Sequence, residues 1–294
     1  MPEKTANSSR CTSSDGISRV YRQRFDHETG LHIEHDPLAI EEPLQISLQW
    51  QDPDSKKRHS EEWSVTMRTP GDDAHLIRGL LYSQQVIMHF DQILALELAD
   101  DEACNAENHW LVTLDHAQAH AMDNQTRRYI SQSSCGVCGV TSMRALSLQR
   151  EISVDNSVEW LDVATVSAMP ELLSAQQPLF AATGAVHGAG YFADGKLIAV
   201  AEDVGRHNAV DKLIGRLMHQ QLLQPQGILV LSGRVSFELM QKAAIAGIAV
   251  VVAVGAPSRL AVDMARQFDM TLIGFTKRHR FNIYHGHTRL RSVK

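Results

Sequence analysis

Two of the chain's four cysteines lie three positions apart in Ser133-Ser134-Cys135-Gly136-Val137-Cys138-Gly139. Arg127 to Ile130 before them predict a short strand, and Thr141 to Leu148 after them predict a helix. Glycine inside and after the pair lets the backbone turn at the strand end and present the sulfurs. A thiol held there becomes a nucleophilic thiolate when positive charge or a helix N-terminus lowers its pKa. Cys135 and Cys138 are therefore the candidate catalytic residues.

Other chemistries compete for the same spacing. A closed structural zinc site needs two further ligands, and only Cys11, in a polar tail, and Cys104 remain among the cysteines. A thioredoxin-like redox pair calls for a βαβ pattern that the upstream sequence does not supply. A structural disulfide fits poorly with so few cysteines and no apolar leader. A zinc-dependent deaminase uses H-x-E followed by P-C-x-x-C. His32-Ile33-Glu34 supplies the first half far upstream, but Ser134 stands where proline belongs.

A second set of groups is cationic. Phe275-Thr276-Lys277-Arg278-His279-Arg280-Phe281 follows an apolar run, and its cations and rings suit a phosphate and a purine. The competing reading is a solvated basic turn. Asp203 to Gly215 is dense in polar groups and starts a helix, with Asp203 as its N-cap and Arg206 and His207 in its first turn. A ligand site and a capped surface helix explain that stretch equally well. Ser232-Gly233-Arg234 and Gly255 to Ser258 complete the candidates.

The elements that must position these groups are clearest in the last third. Gly227 to Leu231, Ile248 to Val254 and Thr271 to Phe275 predict buried strands, alternating with helices from Phe237 to Ala246 and from Arg259 to Phe268. That order requires parallel pairing with right-handed crossovers. It puts Ser232, Ser258 and the turn from Phe275 to Arg280 at strand C-termini, the edge where open α/β sheets bind ligands. Asp194-Gly195 predicts a hairpin between Thr183–Phe192 and Lys196–Ala201. Gly184, Gly188 and Gly190 lead into that hairpin, so they are no dinucleotide fingerprint. Upstream, Ile46–Trp50 and Trp63–Met67 predict antiparallel strands, Asp73 to Val86 a helix, and Gln92–Leu98 and Trp110–Leu114 further strands. Val158 to Phe180 has helical spacing that Pro170 breaks or caps.

The chain thus divides into a tail over 1–38, predicted to be mostly disordered because it shows no apolar period; an N-terminal α+β part over 39–150 that ends in the cysteine loop; and an α/β part over 151–294. With 294 residues, 44% of them hydrophobic, it has a sizeable core. A net charge of −6 argues against general nucleic-acid binding. No apolar run has the length of a membrane span, and a cytoplasmic protein with no membrane association is expected.

Taken in order, these segments resemble the formate dehydrogenase accessory sulfurtransferase family (FdhD, NarQ). The similarity runs from about Leu44 to Leu290. It is carried by Ser133 to Gly139, Thr183-Gly184 with His187, Glu202 to Ala209 with Asp211-Lys212, Ser232 to Arg234, and Gly274 through Tyr284. The resemblance implies a cytidine-deaminase-like mixed sheet flanked by helices, without zinc, in a homodimer. It implies a cysteine desulfurase as sulfur donor, a persulfide on Cys135, and delivery of the sulfur to molybdenum in bis-(molybdopterin guanine dinucleotide). Formate dehydrogenase is the implied client. The nucleotide end would be bound by Phe275, Thr276, Lys277, Arg278, His279 and Arg280, with GDP as a mimic. Val140 stands where many members carry lysine, and the N-terminal tail is longer than usual.

Overall fold

The computed structural model describes residues 16–52, 54–99, 106–115 and 155–291. The expected strand, cysteine loop and helix around Cys135 and Cys138 lie outside the described residues.

The α/β part is built on a six-stranded sheet. Its strands are β7 (His187–Ala193), β8 (Lys196–Asp203), β9 (Ile228–Leu231), β10 (Val250–Ala253), β11 (Thr271–Lys277) and β12 (Arg280–His285), in the order β12-β11-β10-β9-β7-β8. β9, β10 and β11 run parallel, while β7 and β12 run against their neighbours. Alternate side chains enter two cores. Leu229, Leu231, Val251, Ala253 and Leu272 face one, and Ile228, Val230, Val250, Val252 and Ile273 face the other. Burial on both faces explains why these strands read as unbroken apolar runs.

Helices cover both faces. α4 (Arg206–His219), α5 (Phe237–Ile245) and α6 (Arg259–Gln267) pack on the first face, and α2 (Val163–Ser174) packs on the second. Pro170 sits inside α2. The short α3 (Pro178–Thr183) follows it. The glycine-rich segment and Asp194-Gly195 form the β7–β8 hairpin as expected.

The N-terminal part contributes α1 (Asp73–Ser83) and a second sheet. That sheet has β3 (Glu42–Gln51), β4 (Arg58–Arg68), β5 (Ile93–Leu98) and β6 (His109–Leu114) in the order β4-β3-β6-β5. β3 and β4 are antiparallel, as the sequence predicts. Leu44, Ile46, Leu48, Val112 and Leu114 join α1 and α4 in the first core.

The expectation of disorder through residue 38 is corrected. β1 (Ile17–Asp26) and β2 (Gly30–Ala39) form an antiparallel ribbon paired over its whole length. Its alternation is only partial in the sequence, because Arg19, Gln23 and His35 share a face with Tyr21, Phe25, Leu31 and Ile33 and most of its residues are exposed. A second correction concerns Asp203. It is the last residue of β8, fully buried, and Gly205 is the N-cap of α4.

α1 and α4 cross with their backbones in contact. A Cβ on Gly79 would lie 1.8 Å from the Asp211 carbonyl oxygen, and one on Gly215 would lie 2.0 Å from that of His75. Neither backbone can shift without moving its helix. Gly215→Ala is therefore expected to lower the unfolding free energy by about 3 kcal/mol, the upper end for overpacking. Urea denaturation is the check, and an unchanged midpoint would show that the helices yield at no cost.

Candidate functional site

The topology brings the C-terminal ends of β8, β9, β10 and β11 to one edge of the sheet, together with the N-terminal ends of β7 and β12. The N-termini of α4, α5 and α6 open on the same edge. Free N–H groups and helix dipoles make such an edge receptive to anions. His187, Arg206, His207, Ser232, Gly233, Arg234 and the segment from Phe275 to Arg280 all reach it.

Backbone hydrogen bonds lace its loops together. Ser232 N–H donates to Gly188 O at 3.0 Å, Gly255 N–H to Gly233 O at 3.1 Å, and Phe275 N–H to Gly255 O at 3.1 Å. The Ser232 hydroxyl also accepts from Gly188 N–H at 2.8 Å, so it ties β7 to the loop after β9. A Cβ on Gly255 would meet Gly233 O at 2.6 Å, which reserves that position for glycine. The loops are thus fixed before any ligand arrives.

Next to them lies a compact polar cluster. His207 Nε2 is 2.9 Å from Glu238 Oε2 and 3.2 Å from Ser236 Oγ, and the Ser236 hydroxyl reaches Glu238 Oε2 at 3.3 Å. The hydrogen bond to His207 holds the Glu238 carboxyl below the usual carboxylate range, against the opposing effect of burial. His187 sits across Gly233, whose Cβ would approach its Nδ1 at 3.2 Å. Burial pushes the His187 imidazole below its ordinary value, and the Arg206 and Arg234 charges push it the same way. Two arginines and two imidazoles therefore face one region.

Among the described residues, three buried polar atoms on this edge have no hydrogen-bond partner: Arg206 Nε, Glu238 Oε1 and Thr276 Oγ1. Buried donors and acceptors left open in this way mark a place where a ligand or water completes the set. Thr276 is the one buried member of the basic segment. Lys277, Arg278, His279 and Arg280 are exposed, and among the described residues none forms an ion pair. Phe275 has a positive φ of 54° and is 45% exposed. A non-glycine residue in that region is strained, and such strain gathers at ligand contacts.

Some expectations change here. The segment from Phe275 to Arg280 is not one turn: β11 continues to Lys277, which pairs with Arg280, and only Arg278 and His279 bridge the strands. Phe281 packs inward against the second core, so Phe275 alone offers a ring to a base. His32 and Glu34 of the deaminase pattern lie on the exposed ribbon, where His32 bonds Thr29 and Glu34 pairs with Arg22. Glu238, against His207, and the buried Asp203, against Lys212, also shape the edge. The signal for Glu238 was its place in the first turn of a helix that follows a strand.

Fold and edge together define a mixed α/β protein whose strand-end loops are tied to one another by backbone hydrogen bonds. The FdhD/NarQ family model matches residues 39–291, and the chain belongs to that family. The sulfur carrier protein FdhD of Nocardia farcinica is 38% identical over 263 residues, covering 88% of this chain and 89% of that protein. The protein of the same name from Picrophilus torridus is 35% identical over 251 residues, covering 85% and 90%. A crystal structure described as a formate dehydrogenase accessory protein from Desulfotalea psychrophila has the same fold, with a TM-score of 0.68 at 20% identity over 93% of this chain and 99% of that one.

The position of His187 between two guanidinium groups gives a direct test. Its ring is expected to titrate below 6.5, so it is neutral at neutral pH. Because the folded value is the lower one, its contribution to stability is present above 6.5 and is lost as pH falls through the depressed value. Arg234→Ala should move the His187 midpoint upward in an NMR titration, and added GDP should do the same by screening the arginines. A midpoint at or above 6.5 in the parent protein, or one indifferent to Arg234→Ala, would contradict this electrostatic picture.

Proposed function

We propose that this chain is a sulfur carrier that serves formate dehydrogenase. Cys135 accepts sulfur as a persulfide from a cysteine desulfurase and delivers it to the molybdenum of bis-(molybdopterin guanine dinucleotide), which is substrate here. The observation that carries the reading is the strand-end edge: fixed loops, unpaired cations and three open buried polar atoms, in a chain of the FdhD/NarQ family. The curated relatives are named sulfur carriers, which supports a carrier role for this chain.

In the loading step the Cys135 thiolate attacks the outer sulfur of the donor persulfide. A new S–S bond forms at Cys135, the donor S–S bond breaks, and the donor cysteine leaves as a thiolate. Cys138 assists release of the carried sulfur: its thiolate attacks the Cys135 sulfur, an S–S bond forms between the two cysteines as the persulfide S–S bond breaks, and the outer sulfur leaves as hydrosulfide.

On the strand-end edge, Arg206, Arg234, Lys277, Arg278 and Arg280 meet the diphosphate, and arginine does so through paired N–H groups. Thr276, Ser232, Gly233, His187, His207 and His279 line the approach. Phe275 offers its ring to guanine. A second reading, a chaperone that holds the cofactor without moving sulfur, uses the same edge and leaves Cys135 idle.

Mass spectrometry after incubation with a desulfurase and cysteine separates the two. The parent chain should gain one sulfur, Cys135→Ala should gain none, and Cys138→Ala should still load. An increment that persists in Cys135→Ala overturns the assignment of the carrier, and no increment in the parent favours the chaperone. Titration calorimetry with GDP tests the edge. Arg280→Ala should bind about tenfold to a hundredfold more weakly, given roughly 1.5–3 kcal/mol for a hydrogen bond to a charged group. Equal affinities would place the nucleotide elsewhere.

A further inference from the structure

Glu238 carries a polar atom that its neighbours leave unused. It stands in the first turn of α5, and an ionised carboxylate can only accept hydrogen bonds. Its Oε2 takes two donors, His207 Nε2 at 2.9 Å and the Ser236 hydroxyl at 3.3 Å. Ser236 is the N-cap of α5, yet its side chain makes no capping bond, so the hydroxyl serves Glu238 instead. Two contacts on one oxygen orient the carboxylate. The other oxygen, Oε1, is buried and has no partner among the described residues. The bond from His207 prevails over burial and keeps the group ionised at neutral pH. A buried charged acceptor left open is destabilising, and a donor brought by a ligand relieves it.

The surroundings narrow the kind of donor. A phosphate oxygen only accepts, and a carboxylate repels it. A cationic group is disfavoured as well, because Arg206 and Arg234 already act on His187 beside His207. What fits is a neutral N–H. Arg206 directly precedes His207, and its Nε is an open buried donor on the same edge. Thr276 Oγ1 is a third open atom, on a residue only 1% exposed. An acceptor and a donor left open together suit a planar ring that carries N–H groups beside a carbonyl.

We propose that Glu238 Oε1 accepts from the ring N–H and amino group of an aminopyrimidinone, the donor edge that guanine and pterin share, and that Arg206 donates to the ring carbonyl. The inference rests on the cofactor reading above and adds to it the residue that selects the ring. Adenine turns a ring lone pair toward the carboxylate and is repelled. Hypoxanthine lacks the amino group, and lumazine carries a carbonyl in its place. A site that hydrogen-bonds an N–H rejects an analogue without it, because its own buried group is then left unpaired. His207 and Ser236 are positioning residues that hold the carboxylate and do not meet the ring.

Titration calorimetry on the full chain is the test. GDP should bind about tenfold more tightly than inosine diphosphate if guanine fills the site, and pterin about tenfold more tightly than lumazine if the pterin does, the factor expected of one hydrogen bond to a charged group. Either preference supports the assignment and identifies the ring. In Glu238→Gln the preference should vanish. A control in the same variant separates direct contact from general charge. Loss of a carboxylate from a cationic edge strengthens inorganic pyrophosphate or leaves it unchanged, whereas the preferred ring compound should weaken about tenfold. No preference within either pair in the parent overturns the assignment, and the cofactor reading survives if GDP binds. A preference that persists in Glu238→Gln overturns it too. A parent that binds neither GDP nor pterin removes both readings. The comparisons in the parent need no substitution, so they decide even where the variant fails to fold.

Discussion

The buried Asp203–Lys212 pair is the interaction on which the arrangement depends. Both side chains are almost wholly buried and lie 2.8 Å apart. Burial pushes the Asp203 carboxyl up, while Lys212 and the N–H groups of Gly205 and Thr69 oppose that shift. Lys212 Nζ also donates to Thr69 O at 2.7 Å, and Val204 N–H donates to the Thr69 hydroxyl at 3.2 Å. The residues just before α1 are thereby bound to the residues just before α4. Removing either charge alone would strand the other at a cost of about 3–5 kcal/mol. Asn208 extends the knot, donating to Met67 O at 2.7 Å. The N-terminal sheet and the strand-end edge are consequently one rigid unit, and Arg206 and His207 project from its seam.

A second buried pair repeats the device at the neighbouring residue of α4, Asp211. Lys242 of α5 meets both oxygens of Asp211 at 2.7 and 2.8 Å, and the Ser83 hydroxyl donates to Asp211 at 2.8 Å. α4 is therefore pinned at its start to β4 and in its middle to α1 and α5. Such pairs add little net stability over apolar packing but exclude alternative registers, because a shifted helix leaves a charge unpaired. The glycine crossing of α1 and α4 imposes the same restriction sterically. Precision at the site thus originates in polar and steric constraints laid down behind it.

Much of this was legible in the sequence, and the reasons for the rest are physical. The parallel strands and their helices were readable because burial on both faces leaves unbroken apolar runs such as Ile228–Leu231 and Val250–Ala253. The place of Ser232, Gly233, Arg234 and the basic segment followed from strand–helix order alone. The ribbon was not readable, since exposed strands bear polar residues on both faces and their pairing depends on turn and register. The buried role of Asp203 was hidden because an N-cap and a buried ion-pair partner share the same residue type. The Glu238–His207 contact joins residues far apart in the chain and needed the topology to appear. The inward packing of Phe281 depended on a bulge between Gly274 and Lys277 that no periodicity signals.

Net charge and local charge point in opposite directions, and the local pattern decides what is bound. The chain carries −6 overall, yet Lys277, Arg278 and Arg280 stand exposed, without carboxylate partners among the described residues, on the same edge as Arg206 and Arg234. At physiological ionic strength, charges more than about 8 Å away are largely screened, so distant acidic groups do not cancel this cluster. They do oppose a long polyanion, which must lie across the rest of the surface and neutralise many phosphates to gain affinity. The same arrangement explains the neutral His187 among the arginines: a permanent cation there would add attraction for any anion, whereas an uncharged imidazole contributes a hydrogen bond whose value depends on where the ligand's oxygens fall. The edge thus sets several cations against an acidic remainder, a contrast that favours a compact anion over a long one.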